Sequence, residues 1–170
     1  LVGSEMCIRD SYQAVSYLIQ QGHRKIAVLG GPATSYPSMM RRQGAQQAME
    51  DAGIRFEDKL YGLSNYDFES AYHAMNSLLA RRAEFTALFA MSDVIAFGAI
   101  RALVSAGFRV PEDVSVIGFD GITMSRYCVP VMTTIGQPSE QIALQSIELL
   151  VRQIEHGSPA QTVTLQPELQ

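Results

Sequence analysis

The sequence predicts an α/β fold built on a doubly wound parallel sheet. Short apolar runs rich in β-branched residues alternate with longer amphipathic segments, and a small or polar residue closes each apolar run. Segments of this kind form right-handed βαβ units, in which helices cover both faces of the sheet. With 170 residues and 47% hydrophobic content, the chain can bury the core of one domain or slightly more.

The predicted strands are short apolar runs that stop at glycine, proline or a polar residue. The clearest lies in VPEDVSVIGFDG at 110–121, where the apolar run ends abruptly at Asp120 and Gly121. The segment 121–137 contains Pro130 and is interpreted as a looser connection. The predicted strands cover residues 25–29, 60–63, 86–90, 114–119 and 162–165.

The predicted helices place apolar residues on one face and are bounded by residues that favour helix ends. Ser38, Asp93 and Ser139 are expected N-caps, while Gly22 and Gly107 are expected stops. The predicted helices cover residues 12–21, 38–52, 68–81, 93–105 and 139–156.

The first ten residues, LVGSEMCIRD, match none of the elements that follow. They resemble the in-frame translation of a transposon-end sequencing adapter, and they are therefore excluded from the fold as a non-native segment. We expect residues 1–10 to be disordered and the natural chain to continue upstream of Ser11. The chain is then a fragment of a longer protein.

Charge and composition exclude several classes of function. The net charge is −4 and the pI about 5.3, which argues against direct binding of this segment to a polyanion. No apolar run is long enough to span a membrane. Cys7 and Cys128 lack metal-ligand spacing, so we expect no metal, no cofactor and a reducing, cytoplasmic setting.

Polar side chains follow several predicted strands, and they are expected to gather at one edge of the sheet. Ligands bind at that edge in open α/β folds. Arg41 supplies a rigid fork of hydrogen-bond donors, and Asp120 supplies two acceptors. Gln137 can donate and accept, and Tyr66 offers an apolar ring face. This set suits a small polyhydroxylated or heterocyclic ligand.

Each of these residues also has a purely structural interpretation. Arg41 falls in the first turn of its predicted helix, where the helix dipole disfavours a cation, so a solvated surface position fits equally well. Asp120 could serve as a turn acceptor, and Tyr66 could pack on the rim. Asp93 is expected to cap its helix rather than to bind a ligand.

Sequence signatures of enzymes are absent. The Gly30-Gly31-Pro32 turn does not match the dinucleotide-binding GxGxxG pattern. The chain has neither a phosphate-cradling lysine loop nor a Gly-x-Ser-x-Gly elbow. We therefore expect a binding protein rather than an enzyme.

Five longer strings resemble the effector-sensing core of the lactose-repressor/galactose-repressor (LacI/GalR) family of bacterial transcription regulators. Together they cover most of the chain from Tyr12 to Pro167, and the VPEDVSVIGFDG and TTIGQP pair is specific to these regulators. The strings are GHRKIAVLGGP at 22–32, RRQGAQQAMEDAGI at 41–54, TALFAMSDVIAFGAIRAL at 86–103, GFRVPEDVSVIGFDG at 107–121 and PVMTTIGQP at 130–138.

The resemblance implies a role for six residues. Arg41 matches the arginine that binds effector hydroxyls or a carboxylate in this family, and Asp120 matches the aspartate that accepts from ligand hydroxyls or ring nitrogens. Tyr66 matches an aromatic position against the ligand, and Gln137 matches a polar position at the hinge. Ser92 stands where several relatives have asparagine, and Tyr36 lies in the loop 33–38 that is expected to set specificity. The implied ligand-binding residues are Tyr36, Arg41, Tyr66, Ser92, Asp120 and Gln137.

The resemblance also implies a domain organisation of the periplasmic-binding-protein-like (type I) kind. Residues 11–137 correspond to the C-terminal subdomain of the sensor. Residues 138–157 correspond to a crossover helix that belongs to the missing N-terminal subdomain, and residues 158–170 to a returning strand and tail. The DNA-binding headpiece and hinge helix of the family would precede this chain.

The implied function is sensing of a sugar or a nucleoside or purine effector by a transcription regulator, with repression as the expected activity. Operator DNA would be bound only through the missing headpiece. A homodimer is expected to form through 122–128 and the helix 93–105. The alternatives are a periplasmic sugar receptor of a transport system and an enzyme on the same fold.

Overall fold

The computed structural model describes residues 4–157, 159, 161, 163 and 165–170. Within these residues the chain forms one sheet with flanking helices. The strands are β1 Ile26–Gly30, β2 Tyr61–Leu63, β3 Ala87–Ala90, β4 Ser115–Asp120, β5 Thr133–Gly136 and β6 Glu168–Leu169. The helices are α1 Ser4–Gln20, α2 Tyr36–Asp51, α3 Phe68–Ala80, α4 Asp93–Ser105 and α5 Ser139–His156.

The strand order β2-β1-β3-β4-β5-β6 confirms the doubly wound sheet. Neighbouring strands are parallel except β5 and β6, which are antiparallel. The chain moves from β1 outward to β2 and then returns to β3 on the other side of β1, so right-handed crossovers place α2 and α3 on opposite faces. Helix α1 packs against α2, and α3 packs against α4. The order reverses between β1 and β3, which is where this fold opens a ligand crevice at the carboxyl ends of the strands.

The centre of the sheet explains why these strands contain continuous apolar runs. Every residue of β1 and β3 is buried, as expected for parallel strands covered by helices on both faces. Val28, Phe89 and Ile117 lie side by side across β1, β3 and β4, and all three are buried. The buried core therefore lies next to the carboxyl ends of β1, β3 and β4 and holds these strands in place.

The N-terminal segment differs from its expectation. Residues 4–10 are helical and continue into α1, so the structure corrects the expected disorder over 1–10 for that part. Once Ala14 and Val15 are buried, each residue added at the front of the helix gains a backbone hydrogen bond at little cost. Helix α2 lies so close that a Cβ on Gly44 would come within 2.1 Å of the Ile8 carbonyl oxygen. Whether 1–10 is native sequence stays a prediction.

The C-terminal half contains two further corrections. The connection 121–137 includes strand β5, which joins β4 through the pairs Ile117–Thr133 and Asp120–Gly136. Among the described residues the final strand is Glu168–Leu169. Of the predicted strand 162–165, residues 163 and 165 are not in a strand, and residues 162 and 164 lie outside the described residues. β5 was missed because its single pair of threonines followed by Ile135 is too short to give a periodic signal.

Helix α5 has the predicted bounds but none of its residues is buried. Its apolar side chains Leu144, Ile147, Leu150 and Ile154 are all exposed. The expectation that 138–157 belongs to a different subdomain would account for this exposure, and it stays a prediction.

Across the described residues, no helix combines the length and the apolar character needed to cross a lipid bilayer.

Candidate functional site

The candidate site lies at the carboxyl edge of the sheet, where α2 meets the end of β4. Arg41 projects from α2 and Asp120 is the last residue of β4. Arg41 Nη2 donates to Asp120 Oδ1 at 3.5 Å. The structure therefore brings together two residues that are 79 positions apart in the sequence.

Arg41 is buried and held on three sides. Its Nη1 donates to the carbonyl oxygen of Met91, just beyond β3, and its guanidinium carbon lies 3.8 Å from the centre of the Phe119 ring. Its Nε is buried and has no hydrogen-bond partner among the described residues. A guanidinium fixed in this way can donate a hydrogen bond to an additional acceptor without reorganising.

The position of Arg41 in its helix differs from the expectation. Helix α2 begins at Tyr36 because Pro37 favours the first helical turn, so Arg41 lies in the second turn rather than the first. The helix dipole therefore opposes its charge less than predicted. Ser38, the expected N-cap, instead lies inside the helix, and the actual N-cap residue Ser35 forms no side-chain cap bond.

Asp120 is the junction of the site. Its Oδ1 accepts from Arg41 and also from Gln137 Nε2 at 3.2 Å, while its main-chain oxygen accepts from Gln137 N at 3.0 Å. Both side-chain bonds end on Oδ1, so Oδ2 is free among the residues that the structure describes. Burial raises the pKa of Asp120 to about 6 despite the opposing charge of Arg41, and the nearby Asp93 carboxylate adds to the rise.

Tyr66 joins the candidate site through a hydrogen bond to α2 rather than to Asp120. Its hydroxyl shares a hydrogen bond of 2.7 Å with Ser38, which lies three residues before Arg41 on the same face of α2. Its ring packs on Gly31, where an added Cβ would lie 2.1 Å from a ring carbon. Glycine at position 31 therefore makes room for the ring.

The backbone is strained at two of the candidate residues. Tyr66 and Asp120 have φ values of 61° and 115°, a region that residues with a Cβ rarely adopt. Such conformations cost free energy and persist where the surroundings hold them, often at binding sites. Tyr66 follows the end of β2 and Asp120 is the last residue of β4, so the strain lies where the ligand crevice is expected.

Two of the six predicted residues are less directly connected. Ser92 follows β3 at the same edge, but its hydroxyl accepts from Ile95 N at 3.1 Å and caps α4. Tyr36 is 46% exposed at the start of α2 and forms no side-chain hydrogen bond with the other candidates in the described part of the chain. Their contact with a ligand stays a prediction.

Asp93 is not the N-cap of α4 that the sequence predicts. Ser92 is the N-cap of α4, and Asp93 is fully buried with its carboxylate bonded to Thr134 and to Ile122 N. The signal was the Ser-Asp pair itself, because serine is as good an N-cap as aspartate and leaves the next carboxylate for another task. Among the described residues, no three histidine, cysteine, aspartate or glutamate side chains form a metal-like cluster.

None of the four cavities described for the molecule is lined by Arg41 or Asp120. A cavity of about 410 Å³ lies at the opposite edge of the sheet, beside the strand starts at Ser115 and Thr133. A small cavity of about 130 Å³ adjoins Gln137 and Gly136. The ion pair between the buried guanidinium of Arg41 and the carboxylate of Asp120, rather than an enclosed cavity, identifies the candidate site.

The chain is similar to known proteins over most of its length. Residues 15–170 match the model of the periplasmic binding protein-like domain. The chain is 37% identical over 159 residues to the HTH-type transcriptional repressor PurR of Histophilus somni (strain 129Pt), covering 93% of this chain and 48% of that protein. It is 38% identical to the PurR repressor of Photorhabdus laumondii, covering 47% of it. The chain thus spans about half the length of the curated relatives it matches.

Solved structures agree with the sequence relatives. The Escherichia coli transcriptional repressor ascG superposes with a TM-score of 0.90 at 34% identity, over 96% of this chain and 60% of that one. A transcriptional regulator CelR–cellobiose complex superposes with a TM-score of 0.90 at 34% identity, over 97% of this chain and 51% of that chain. A LacI-family transcriptional regulator of Enterococcus faecium with bound ribose superposes with a TM-score of 0.88 at 29% identity, over 97% of this chain and 61% of that chain.

These relatives are transcription regulators, which agrees with the expectation that the chain is not an enzyme. The sheet order and the match over nearly the whole chain agree on the family. The chain belongs to the periplasmic binding protein-like domain family, and it is similar to transcription repressors and to LacI-family regulators over nearly its whole length.

Proposed function

We propose that this chain senses a small effector for a bacterial DNA-binding repressor, and that the effector is a sugar, with a purine or nucleoside as the second candidate. The observation that supports this most is the Arg41–Asp120–Gln137 cluster at the carboxyl edge of the sheet. It joins a fixed cation, a carboxylate with a free oxygen and a neutral amide.

The chemistry of the cluster suits neighbouring hydroxyls. A hydroxyl can donate to Asp120 Oδ2 while it accepts from the guanidinium of Arg41, so two adjacent hydroxyls can satisfy the pair together. The ring of Tyr66 offers an apolar face to the flat side of a sugar or a base. Among the relatives, one regulator is described in complex with cellobiose and another with ribose.

The second wall of the effector cleft is proposed to lie outside this chain. The Asp120 side chain at the candidate site is partly exposed, and α5 exposes an apolar face without a partner in the described residues. Both features fit a sensor in which 138–157 packs on a second subdomain and closure over the ligand excludes water. DNA binding would then depend on a headpiece elsewhere in the protein, and the chain alone is not expected to shift operator DNA.

A homodimer is the proposed assembly. The predicted interface segment 122–128 follows the site and exposes large apolar side chains, with Tyr127 78% and Met124 62% exposed, and the adjoining Val129 is 97% exposed. Val104 on α4 is also exposed. We expect these surfaces to form a two-fold interface in the full-length protein. A monomer in sedimentation at micromolar concentration would contradict it.

A cytoplasmic location follows from the proposed regulatory role. The alternative, a periplasmic sugar receptor, is not favoured, because the relatives named above are repressors and regulators. An enzymatic function on this fold is not favoured for the same reason, since the relatives named above are repressors and regulators.

The test is effector binding by the full-length protein that contains this chain. Titration calorimetry with D-ribose, cellobiose and hypoxanthine should give saturable binding with at least one sugar. Arg41→Gln should weaken that binding by on the order of tenfold or more, since a hydrogen bond to a charged group is lost.

Arg42→Gln is the matched control. Arg42 is adjacent in sequence, but it lies over the Tyr61 and Phe56 rings and pairs with Asp58. Equal losses in the two variants, or unchanged binding in Arg41→Gln, would refute the assigned site.

A further inference from the structure

Asp93 is a buried carboxylate that the proposed effector contacts do not use. We propose that it is a positioning residue for the effector site: it fixes the turn after β4 and thereby holds Asp120 in the conformation that meets Arg41 and Gln137. The inference rests on the proposed function, in which Asp120 contacts the effector.

The contacts of Asp93 connect it to both sides of this turn. Its Oδ2 accepts from Ile122 N at 2.8 Å, and its Oδ1 accepts from Thr134 Oγ1 at 2.6 Å. The hydroxyl of Thr134 in turn accepts from Gly121 N at 3.3 Å. The two residues that follow Asp120 are therefore both anchored, one directly and one through Thr134.

The conformation of Asp120 explains why such an anchor is needed. Its φ of 115° lies in a region that favours glycine, so the backbone would relax if the next residues were free. Because Gly121 and Ile122 are tied to Asp93 and Thr134, relaxation would require breaking hydrogen bonds in a buried site.

The sequence of β4 makes room for the carboxylate. A Cβ at Gly118 would lie 2.3 Å from Asp93 Oδ1, so any other residue there would displace it. A buried carboxylate is costly unless its oxygens are bonded. The combination of a cleared space and two hydrogen bonds indicates a specific role for Asp93 rather than incidental burial.

Asp93 also acts on Asp120 through its charge. The groups that face Asp120 are the Arg41 guanidinium from α2, the Asp93 carboxylate from α4 and the neutral Gln137 amide. Asp10 on α1 faces Arg41. Burial and the charge of Asp93 raise the pKa of Asp120, whereas Arg41 lowers it. Removing the charge of Asp93 should therefore lower the pKa of Asp120.

The first experiment follows the Asp120 carboxyl carbon by NMR during a pH titration of the 170-residue chain. In Asp93→Asn its midpoint should fall by roughly half to one pH unit from the unsubstituted value. Asp113→Asn, which removes an exposed carboxylate paired with Arg109, is the control and should leave the midpoint unchanged. An unchanged midpoint in Asp93→Asn would overturn the proposal.

The second experiment keeps the proposal testable if Asp93→Asn does not fold. Thr134→Val removes the hydroxyl that bridges Asp93 and Gly121, and Thr134→Ser keeps it. Thr134→Val should lower the Asp120 midpoint and weaken sugar binding by the full-length protein by about tenfold, and Thr134→Ser should restore both. Equal behaviour of the two variants would overturn the positioning role. If the unsubstituted protein bound no probe, the proposed function would fail while the titration still decided the role of Asp93.

Discussion

Helix α4 packs into the molecule along most of its length, whereas helix α5 contributes no buried residue. Seven of the 13 residues of α4 are buried, and at Gly98 an added Cβ would lie 2.5 Å from the Phe68 carbonyl oxygen of α3. The two helices are both amphipathic in sequence. The difference teaches that an apolar face predicts a packing surface but does not identify its partner.

The two helices also differ in their relation to the candidate site. The N-terminus of α4 holds Ser92 and Asp93, which connect the end of β3 to the turn after β4 and so build the candidate site. Helix α5 follows Gln137 and leaves the sheet without covering it. One helix therefore shapes the site within this chain, and the other presents a surface for something else.

Truncating the core of α4 should have the largest effect. Leu103 is fully buried, so Leu103→Ala should lower the free energy of unfolding by about 2–5 kcal/mol. Leu150→Ala on α5, which is 56% exposed, should change it by less than about 0.5 kcal/mol. Urea denaturation of the chain followed by circular dichroism measures both. Similar losses would show that α5 is buried in solution and would break the comparison.

Removing the carboxylate at the end of β4 should affect binding next. Asp120→Ala should cost about 1.5–3 kcal/mol of effector affinity in the full-length protein, the range for a hydrogen bond to a charged group. Asp58→Ala, at an exposed carboxylate, serves as the control. DNA affinity without effector should change little. Calorimetry showing unchanged effector affinity in Asp120→Ala would count against the site.

The raised pKa of Asp120 predicts a pH dependence of stability. The pKa of its carboxyl is about 6 in the folded state and 3.8 ordinarily, so the folded state binds this proton more tightly. Its ionisation therefore lowers stability as the pH rises from about 4 to 6, by about 1–2 kcal/mol after allowance for partial exposure.

Comparison with Asp120→Asn isolates this effect, because burial also raises the pKa of Asp10 to about 6 and changes stability in the same direction. Denaturation at pH 4 and pH 6 should show a smaller decrease in the variant. Identical decreases would mean that Asp120 is not buried as described.

The cap of α4 should make a smaller contribution. Ser92→Ala removes the bond to Ile95 N and should lower the free energy of unfolding by about 1 kcal/mol. Ser92→Asp, which retains a cap acceptor, should recover most of the loss. If Ser92→Ala left stability unchanged but abolished effector binding, the hydroxyl would act on the ligand rather than on the helix.

The smallest change in stability is expected on α5, where association should respond instead. Ile147→Glu places a charge on the exposed apolar face and should leave the unfolding free energy within about 0.5 kcal/mol. It should reduce self-association of the isolated chain, because exposed apolar faces favour it. Analytical ultracentrifugation of both chains measures this. Association that is equally strong in the variant would exclude α5 as the contact.

Much of the site was predictable because its chemistry follows strand ends. Arg41, Asp120 and Gln137 were identified from residue type and position, and the structure places them within hydrogen-bond distance. Tyr66 joins them through Ser38, a contact that no local pattern indicates. The buried role of Asp93 could not be predicted, since its partners Thr134 and Ile122 belong to a strand and a turn far away in sequence.

The sequence by itself determined the alternation of strands and helices, the bounds of α4 and α5 and the doubly wound class, because periodicity and helix ends are local properties. Tertiary structure alone decided the helical form of residues 4–10, the pairing of β5 and β6 with the sheet, and which apolar helix faces are covered. It also decided the conformation of Asp120, whose positive φ is held by bonds from Asp93 and Thr134 to the residues that follow it. These features depend on contacts between distant segments, and such contacts exist only once the chain has packed.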